Sequence, residues 1–226
     1  MAENQQDQDN LVQETIGKSE VFIQQNRKSL SIIIGALVMA VGGYIFYQKV
    51  YVAGKETETQ EYFFRAEDYL KKDSLRLAIN GDGNNPGLEE IVSGNSVSKS
   101  GNLAKLYLGF AYMKNKEYDK AIDALKSYSA EDVMTASLSL CLIGDAYMEL
   151  KNTDEAIGYY EKATKEKANN FATPVALMKL ATALESKGSY KEAVDVYERI
   201  RKDYPTSSEG TQAEKYAARA SAMAGN

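Results

Sequence analysis

The chain has 226 residues, of which 44% are apolar and 26% are charged, and its formal net charge is −5. This is enough for one domain with a sizeable core plus an appendage, but the acidic balance gives no basic footprint for nucleic acid. The absence of histidine excludes Ser-His and Cys-His nucleophiles and histidine-based zinc sites. A single cysteine excludes an internal disulfide and leaves the redox compartment open.

Residues 1–28 form a short segment that is rich in acidic side chains. Apolar residues recur at near-helical spacing between Asn10 and Gln25, which favours an amphipathic helix at the membrane interface or against a partner. A poorly ordered tail explains the same composition equally well.

Residues 29–48 form a predicted transmembrane helix, because the run carries no charge and about 20 apolar residues cross the hydrocarbon core. Tyr44, Tyr47 and Tyr51 cluster at its far end, where aromatic rings prefer the headgroup level. A cleaved signal peptide is the main alternative, but the preceding segment is long and acidic, and no small-residue cleavage site follows. A buried core helix is a further alternative, although such a helix is rarely apolar on every face.

The charges that flank this run predict its orientation. Arg27 and Lys28 directly precede it, whereas Lys49 and Lys55 are spread along the other side. Since positive residues favour the cytoplasmic side, the N-terminus is expected in the cytoplasm and the larger C-terminal part across the membrane. In a bacterium that compartment is the periplasm.

Residues 49–101 are predicted to be a linker helix followed by a turn-rich loop region. The stretch TETQEYFFRAEDYLKK indicates an amphipathic helix, and NGDGNNPG indicates turns. Asn80, Asp82 and Asn84 have the odd-position spacing of a calcium loop, but Asn85 and Ile91 stand where glycine and glutamate are needed. Turn chemistry explains these residues, so no metal or cofactor is expected.

Three segments of the remaining chain align with one another, beginning at Leu103, Leu138 and Val175. Each carries a small residue on its first predicted helix and an alanine on its second, and the alanines are separated by 35 and then 37 residues. Small residues at these places let two helices approach closely. The small residues are Gly109, Gly144 and Ala181, and the alanines are Ala121, Ala156 and Ala193.

This pattern resembles the tetratricopeptide repeat family over residues 102–205. The resemblance implies an α-solenoid of tetratricopeptide repeats, and together with the predicted N-terminal transmembrane helix this gives an all-α fold. Residues 206–226 are alanine-rich and are expected to form a C-terminal capping helix, because the last apolar face of a repeat array has no neighbour. Thr206 and Glu209 suggest a capping box at its start.

The resemblance also implies a concave groove lined by the first helix of each repeat. Its predicted lining is mostly apolar and contains methionines, which suits an amphipathic helix or an extended peptide. The clamp of Lys, Asn and Arg with which the family grips acidic chaperone tails is missing. Alternatively, the groove is filled by the helix of residues 58–72 or by the terminal helix. The predicted groove residues are Leu103, Leu106, Phe110, Met113, Leu138, Cys141, Asp145, Met148, Val175, Met178 and Thr182.

No constellation of residues predicts catalysis or a small-molecule substrate. Cys141 is flanked by apolar residues, so a packed thiol is expected rather than a nucleophile. Adjacent carboxylates such as Glu89 and Glu90 are expected to be solvated helix starts. The sequence therefore predicts a protein that is not an enzyme.

The whole layout is similar to the YfgM-like ancillary subunits of the bacterial Sec translocon. This resemblance implies an inner-membrane protein whose repeats lie in the periplasm. It also implies partners: translocon subunits, a membrane-anchored periplasmic chaperone and nascent chains. The alternative is a structural scaffold of another envelope complex, in division, secretion or outer-membrane assembly, that uses the convex face of the repeats.

Overall fold

The computed structural model describes residues 22–95, 98–166 and 168–225. Most of the predicted N-terminal segment 1–28 therefore lies outside the described residues. The chain divides into two compact units, Met1–Gly54 and Lys55–Asn226. Within the described ranges the regular structure is helical apart from one isolated bridge between Gly81 and Pro86. The all-α prediction is thus confirmed.

The first unit contains helix α1, Arg27–Phe46, followed by a π-helical turn, Tyr47–Val52. All residues of α1 except Leu30 are exposed. The helix is long and apolar enough to cross a membrane, as judged by length and composition. So long an exposed apolar surface would be unusual on a protein dissolved in water.

Ten further helices make up the rest of the described chain, and successive helices from α5 onward pack against one another. They are α2 (Ala53–Lys71), α3 (Leu75–Asn80), α4 (Leu88–Asn95), α5 (Lys99–Lys114), α6 (Tyr118–Ser127), α7 (Val133–Glu149), α8 (Thr153–Lys165), α9 (Ala172–Lys187), α10 (Tyr190–Asp203) and α11 (Ser208–Ala224). The three predicted repeats are the pairs α5–α6, α7–α8 and α9–α10.

The first two pairs are held together by a close approach at the predicted small residue. A Cβ atom added to Gly144 would lie 2.5 Å from Cε1 of Tyr160, and one added to Gly109 would lie 2.4 Å from Cγ of Leu125. Both distances are shorter than real carbon contacts, so the absence of a side chain is what lets the large residue of the second helix reach the first helix. The alanines at the crossing, Ala121, Ala156 and Ala193, are fully buried.

The turn between paired helices has one recurring geometry. Gly188, which follows α9, has a left-handed backbone with φ +85°, and the N–H groups of Gly188 and Ser189 donate to the carbonyls of Glu185 and Leu184. This is the Schellman arrangement that commonly ends helices. Asp73, Lys116 and Lys151 adopt the same conformation after α2, α5 and α7, with φ 56°, 62° and 61°.

The recurrence at Asp73 shows a fourth helical hairpin, α2–α3, in the region predicted to be a linker. Ala66 stands seven residues before this turn residue and Ala78 five residues after it, the spacing of Gly109 and Ala121 around Lys116. Ala66 and Ala78 are both buried. The hairpin is therefore built like the repeats, although α3 is only six residues long.

The loop after α3 follows the turn chemistry predicted for it. The Asp82 carboxylate accepts hydrogen bonds from the backbone N–H groups of Asn84 and Asn85, at 2.8 and 2.6 Å, and from the Tyr69 hydroxyl at 2.7 Å. These bonds hold the pKa of Asp82 below its usual value, and the bond from Tyr69 has the largest effect on it. Helix α3 ends early because Gly81 follows it with φ 85°, and Asp82 then occupies the place that Leu125 has in the first repeat.

Two further contacts define the ends of the second unit. Phe63 of α2 packs edge-on against Tyr107 of α5, with ring centroids 5.0 Å apart. At the other end, α11 buries Ala213, Ala217 and Ala220 in the core that also contains Tyr197 of α10. The side chain of Ser207, and not that of Thr206, caps α11 by accepting from the N–H of Gly210 at 2.9 Å.

We predict that Gly144→Ala is less stable than Gly158→Ala by about 1–3 kcal/mol, the usual cost of overpacking. Gly158 lies in α8 with nothing within 4 Å of an added Cβ, so this control gains the same helix propensity without a clash. Denaturant unfolding of the full chain in lipid nanodiscs, followed by circular dichroism, measures the difference. Equal stabilities would contradict the assigned close approach.

Candidate functional site

The predicted groove residues fall into three classes of burial. The exposed ones are Phe110, Leu138, Val175 and Thr182; the half-buried ones are Leu103, Met113, Asp145, Met148 and Met178; the buried ones are Leu106 and Cys141. The first two classes give the first helices of the repeats a face that reaches solvent. The two buried residues lie beneath it.

This face holds most of the exposed apolar side chains of the second unit. Among the described residues between 55 and 225, seven large apolar side chains are exposed, and five of them lie in α5 or around α7 and α9 on this side: Phe110, Met134, Leu138, Phe171 and Val175. The other two are Phe64 and Met223. Contiguous exposed apolar surface of this kind marks interaction sites.

A cavity of about 360 Å³ opens between α7 and α9, and we call it the α7–α9 pocket. Met134, Leu138, Phe171 and Val175 form its apolar wall, and Asp145 and Lys179 contribute its charged groups. Phe171 is the most exposed of these, at 76%.

Seven of the eleven residues that line the pocket were missed by the sequence prediction, and Met134, Phe171 and Lys179 are the ones that matter most for its chemistry. Met134 and Phe171 each stand four residues before a predicted groove residue, so they lie on the same helical face one turn earlier. Extending the face by one turn would have found them. Lys179 has no comparable signal, because its role depends on a contact with a residue 34 positions away.

Leu106 and Cys141 belong to the core. Leu106 clusters with Ile122, Leu125 and Ile143, between the first two repeats. Cys141 is 4% exposed, and burial raises the pKa of its thiol to about 11. The thiol is therefore neutral and packed at physiological pH, and both side chains support the groove from below.

Asp145 joins three helices. Its carboxylate accepts a hydrogen bond from the Tyr160 hydroxyl of α8 at 2.7 Å, and Nζ of Lys179 in α9 lies 2.9 Å from each of its oxygens. Burial, followed by the bond to Asp145, raises the pKa of Tyr160, which stays protonated. The ion pair leaves this part of the groove without net charge.

Glu185 makes the equivalent link one repeat further along. It accepts from the Tyr197 hydroxyl of α10 at 2.8 Å and from the guanidinium of Arg219 in α11 at 2.7 Å. Burial first, and then the bond to Glu185, raises the pKa of Tyr197 to about 12. In both links, a carboxylate on the first helix of a repeat accepts a hydrogen bond from a tyrosine on the second helix of the same repeat. It also pairs with a cation on the helix that follows.

Within the described part of the chain, the two segments that were considered as internal occupants of the groove pack elsewhere. The face of α2 that was expected to fill it, including Phe63 and Leu70, packs in the core with α5. The alanines of α11 pack in the core of the last repeat. Phe110, Leu138 and Val175 meanwhile remain 42%, 49% and 39% exposed. Neither segment considered as an internal occupant covers these three residues.

No cluster of three or more Cys, Asp or Glu side chains is placed to hold a metal ion among the residues that the structure describes. The carboxylates with lowered pKa values, Asp82, Glu117 and Asp132, are explained by local hydrogen bonds. Asp82 closes the loop after α3, and Asp132 caps α7. The groove is thus the site with the clearest chemical character.

Residues 103–131 and 141–208 match family models of the tetratricopeptide repeat. The chain therefore carries tetratricopeptide repeats, which typically act as non-enzymatic scaffolds that bind proteins. No curated protein matches the sequence significantly.

Two solved structures show the same fold. The TPR-like repeats of a Podosopora anserina protein described as a kinesin light chain superpose with a TM-score of 0.58 at 16% identity, covering 75% of this chain and 88% of that one. The structure of MamA protein superposes with a TM-score of 0.52 at 19% identity, covering 74% of this chain and 89% of that one. At such identities the likeness concerns the fold alone.

We predict that Cys141, the only thiol of the chain, reacts very slowly with a disulfide reagent at pH 8 while the protein is folded. The reason is its burial and its raised pKa, since the thiolate is the reacting form. Because the pKa is higher in the folded chain, this protonated thiol favours folding below pH 9, and the contribution is lost as the pH rises towards about 11.

A colorimetric thiol assay in native buffer and in denaturant measures how fast the Cys141 thiol reacts in the folded and in the unfolded chain. The matched control is Cys141→Ser combined with Leu138→Cys, which moves the thiol by three positions to a side chain that is 49% exposed. The control should react at once, and equal rates in the two proteins would contradict the two-layered groove.

Proposed function

We propose that the chain is a non-enzymatic, membrane-anchored adaptor that binds proteins through its repeat groove. More specifically, we propose an ancillary subunit of the bacterial Sec translocon that links the translocon to a periplasmic chaperone or to emerging substrates. The observation that carries the proposal is the presence, in one chain, of an exposed apolar helix of membrane-spanning length and a repeat array with an exposed apolar groove.

The exposed apolar helix α1 supports the proposed location. A helix that exposes nearly all of its apolar side chains needs an apolar solvent, and a bilayer supplies it. Arg27 and Lys28 at the start of α1 favour the cytoplasm for the N-terminus. The proposed location is therefore the bacterial inner membrane, with the repeats in the periplasm.

The groove supports the binding role. Its wall combines exposed Phe110, Leu138 and Val175 with the half-buried methionines Met113 and Met148. Flexible methionine side chains adapt to the shape of a partner. Asp145 and Lys179, the charged residues of the α7–α9 pocket, are already paired, so binding there would bury apolar surface without stripping water from an unpaired charge.

The Sec assignment rests on the layout of anchor and repeats, which is similar to that of the YfgM-like subunits. The second candidate is a structural scaffold of another envelope complex. A surface outside the groove favours it: the rings of Tyr147 and Tyr159 stack 5.5 Å apart, and Lys162 lies 4.4 Å above the Tyr159 ring, with Lys126 on the same pair. Partner identity separates the two candidates.

The experiment is photocrosslinking in living cells from position 110 in the groove and from position 22 near the anchor, with partners identified by mass spectrometry. The Sec proposal expects translocon subunits from Phe22 and a chaperone or nascent chain from Phe110. Reproducible crosslinks only to another envelope complex would discard the Sec assignment and keep the scaffold.

We predict that Phe110→Glu and Met148→Glu each lower partner capture about tenfold or more, which corresponds to about 1.4 kcal/mol of lost binding energy. Each places a charge where apolar contact is expected. The matched controls are Phe64→Glu and Met223→Glu, which change exposed apolar residues outside the groove. Circular dichroism should show unchanged helical content. If capture persists in both groove variants, the groove is not the binding surface.

The topology is tested separately. We predict that alkaline phosphatase fused after residue 226 is active, because the enzyme folds only in an oxidising compartment, whereas a fusion before residue 1 is inactive. The protein should also stay in the membrane pellet after alkaline carbonate extraction. An inactive C-terminal fusion with normal expression would contradict the periplasmic location.

A further inference from the structure

We propose that the α7–α9 pocket binds an amphipathic helix of the partner, which presents two apolar side chains one turn apart and a basic side chain beside them. The proposal rests on the proposed protein-binding function of the groove and specifies the chemistry of its ligand. Three properties of the pocket support it: the spacing of its apolar residues, the occupation of its polar groups and the charge at its rim.

The apolar wall is arranged in two rows with helical spacing. Met134 and Leu138 are four residues apart on α7, and Phe171 and Val175 are four residues apart at the start of α9. Four residues of α-helix rise about 6 Å. A helix that enters between these rows presents its own i and i+4 side chains at the same interval, so each inserted residue meets one residue of each row.

Most of the bonding capacity of the polar side chains that line the pocket is used within the protein or is buried. The Thr135 hydroxyl donates to Asp132 at 2.6 Å, and Asp145 and Lys179 bond one another. The Ser137 hydroxyl is 2% exposed, and its oxygen has no surface for a ligand to reach. The remaining wall is apolar.

This occupation distinguishes a helical ligand from an extended one. An extended segment buried in the pocket would find few partners there for its N–H and C=O groups, and leaving such groups unpaired is unfavourable. A helix bonds its own main-chain groups and presents only side chains. The pocket therefore selects a helix.

Two acidic residues precede α7, next in sequence to the pocket residues Met134 and Thr135, and we take them as its acidic rim. Asp132 is exposed, and it accepts bonds from the Thr135 side chain and from the backbone N–H groups of Met134 and Thr135. These bonds lower its pKa and keep it ionised. Glu131 beside it is also exposed. Since Asp145 and Lys179 neutralise one another inside the pocket, this acidic rim supplies its net charge and favours a basic residue on the ligand.

The test uses the full chain in nanodiscs of neutral phosphatidylcholine and short fluorescent alanine–lysine peptides. The probe carries two leucines at i and i+4, which share one face of a helix. The control peptide has the same composition with leucines at i and i+2, which share a face only in an extended chain. Empty nanodiscs correct for binding to lipid, and fluorescence anisotropy measures affinity.

We expect the i, i+4 peptide to bind about tenfold more tightly than the i, i+2 peptide. Leu138→Glu and Val175→Glu should each abolish this preference, whereas Met223→Glu on α11 should preserve it. Replacing the lysines of the probe by glutamates should weaken binding. Equal or tighter binding of the i, i+2 peptide, no saturable binding of either, or indifference to the groove variants would overturn the proposal.

These results are distinguishable from those that test the adaptor function. Crosslinks in cells from Phe110 together with no peptide preference would retain the adaptor and remove the helical ligand. A clear peptide preference without partner crosslinks in cells would retain the pocket as a helix-binding site and remove the proposed cellular role.

Discussion

The close approach of the two helices in each repeat is the constraint on which the rest of the structure depends. At Gly109 and Gly144 the first helix has no side chain, and Leu125 or Tyr160 of the second helix occupies the space. The third repeat accommodates Tyr197 beside Ala181. Because each contact fixes how the second helix lies on the first, it also fixes which face of the first helix stays exposed. The groove is the consequence of that packing.

The polar links then join one repeat to the next. Asp145 and Glu185 each bond a tyrosine of their own repeat and a cation of the following element, Lys179 or Arg219. Such bonds add directional contacts between helices that otherwise pack through apolar side chains. The Asp145–Lys179 link also pairs the two charges of the α7–α9 pocket, whose other lining residues are mainly apolar. Stability between repeats and the apolar character of the binding face therefore have a common origin.

Sequence alone predicted the features that recur and missed those that depend on a single contact. The glycine and alanine spacing identified the three repeats, because close helix packing requires small residues in register. The α2–α3 hairpin was missed because its second helix is short and is followed at once by Asp82 and a glycine-rich loop, which carry no repeat pattern. Lys179 could not be assigned, since its ion pair with Asp145 arises only when the second and third repeats stack. The burial of Cys141 followed from its apolar neighbours, whereas that of Leu106 required the packed second repeat.

The groove has two layers with different physical roles. Leu106 and Cys141 are almost fully buried, and removing a buried side chain costs both its transfer energy and the cavity that it leaves. Leu138 and Val175 lie above them and keep 49% and 39% of their surface in water, so the fold gains less from their presence. An apolar residue that contributes little to the fold and remains exposed gains most of its burial only when a partner covers it. The outer layer is therefore where binding can change while the repeat array beneath it stays folded.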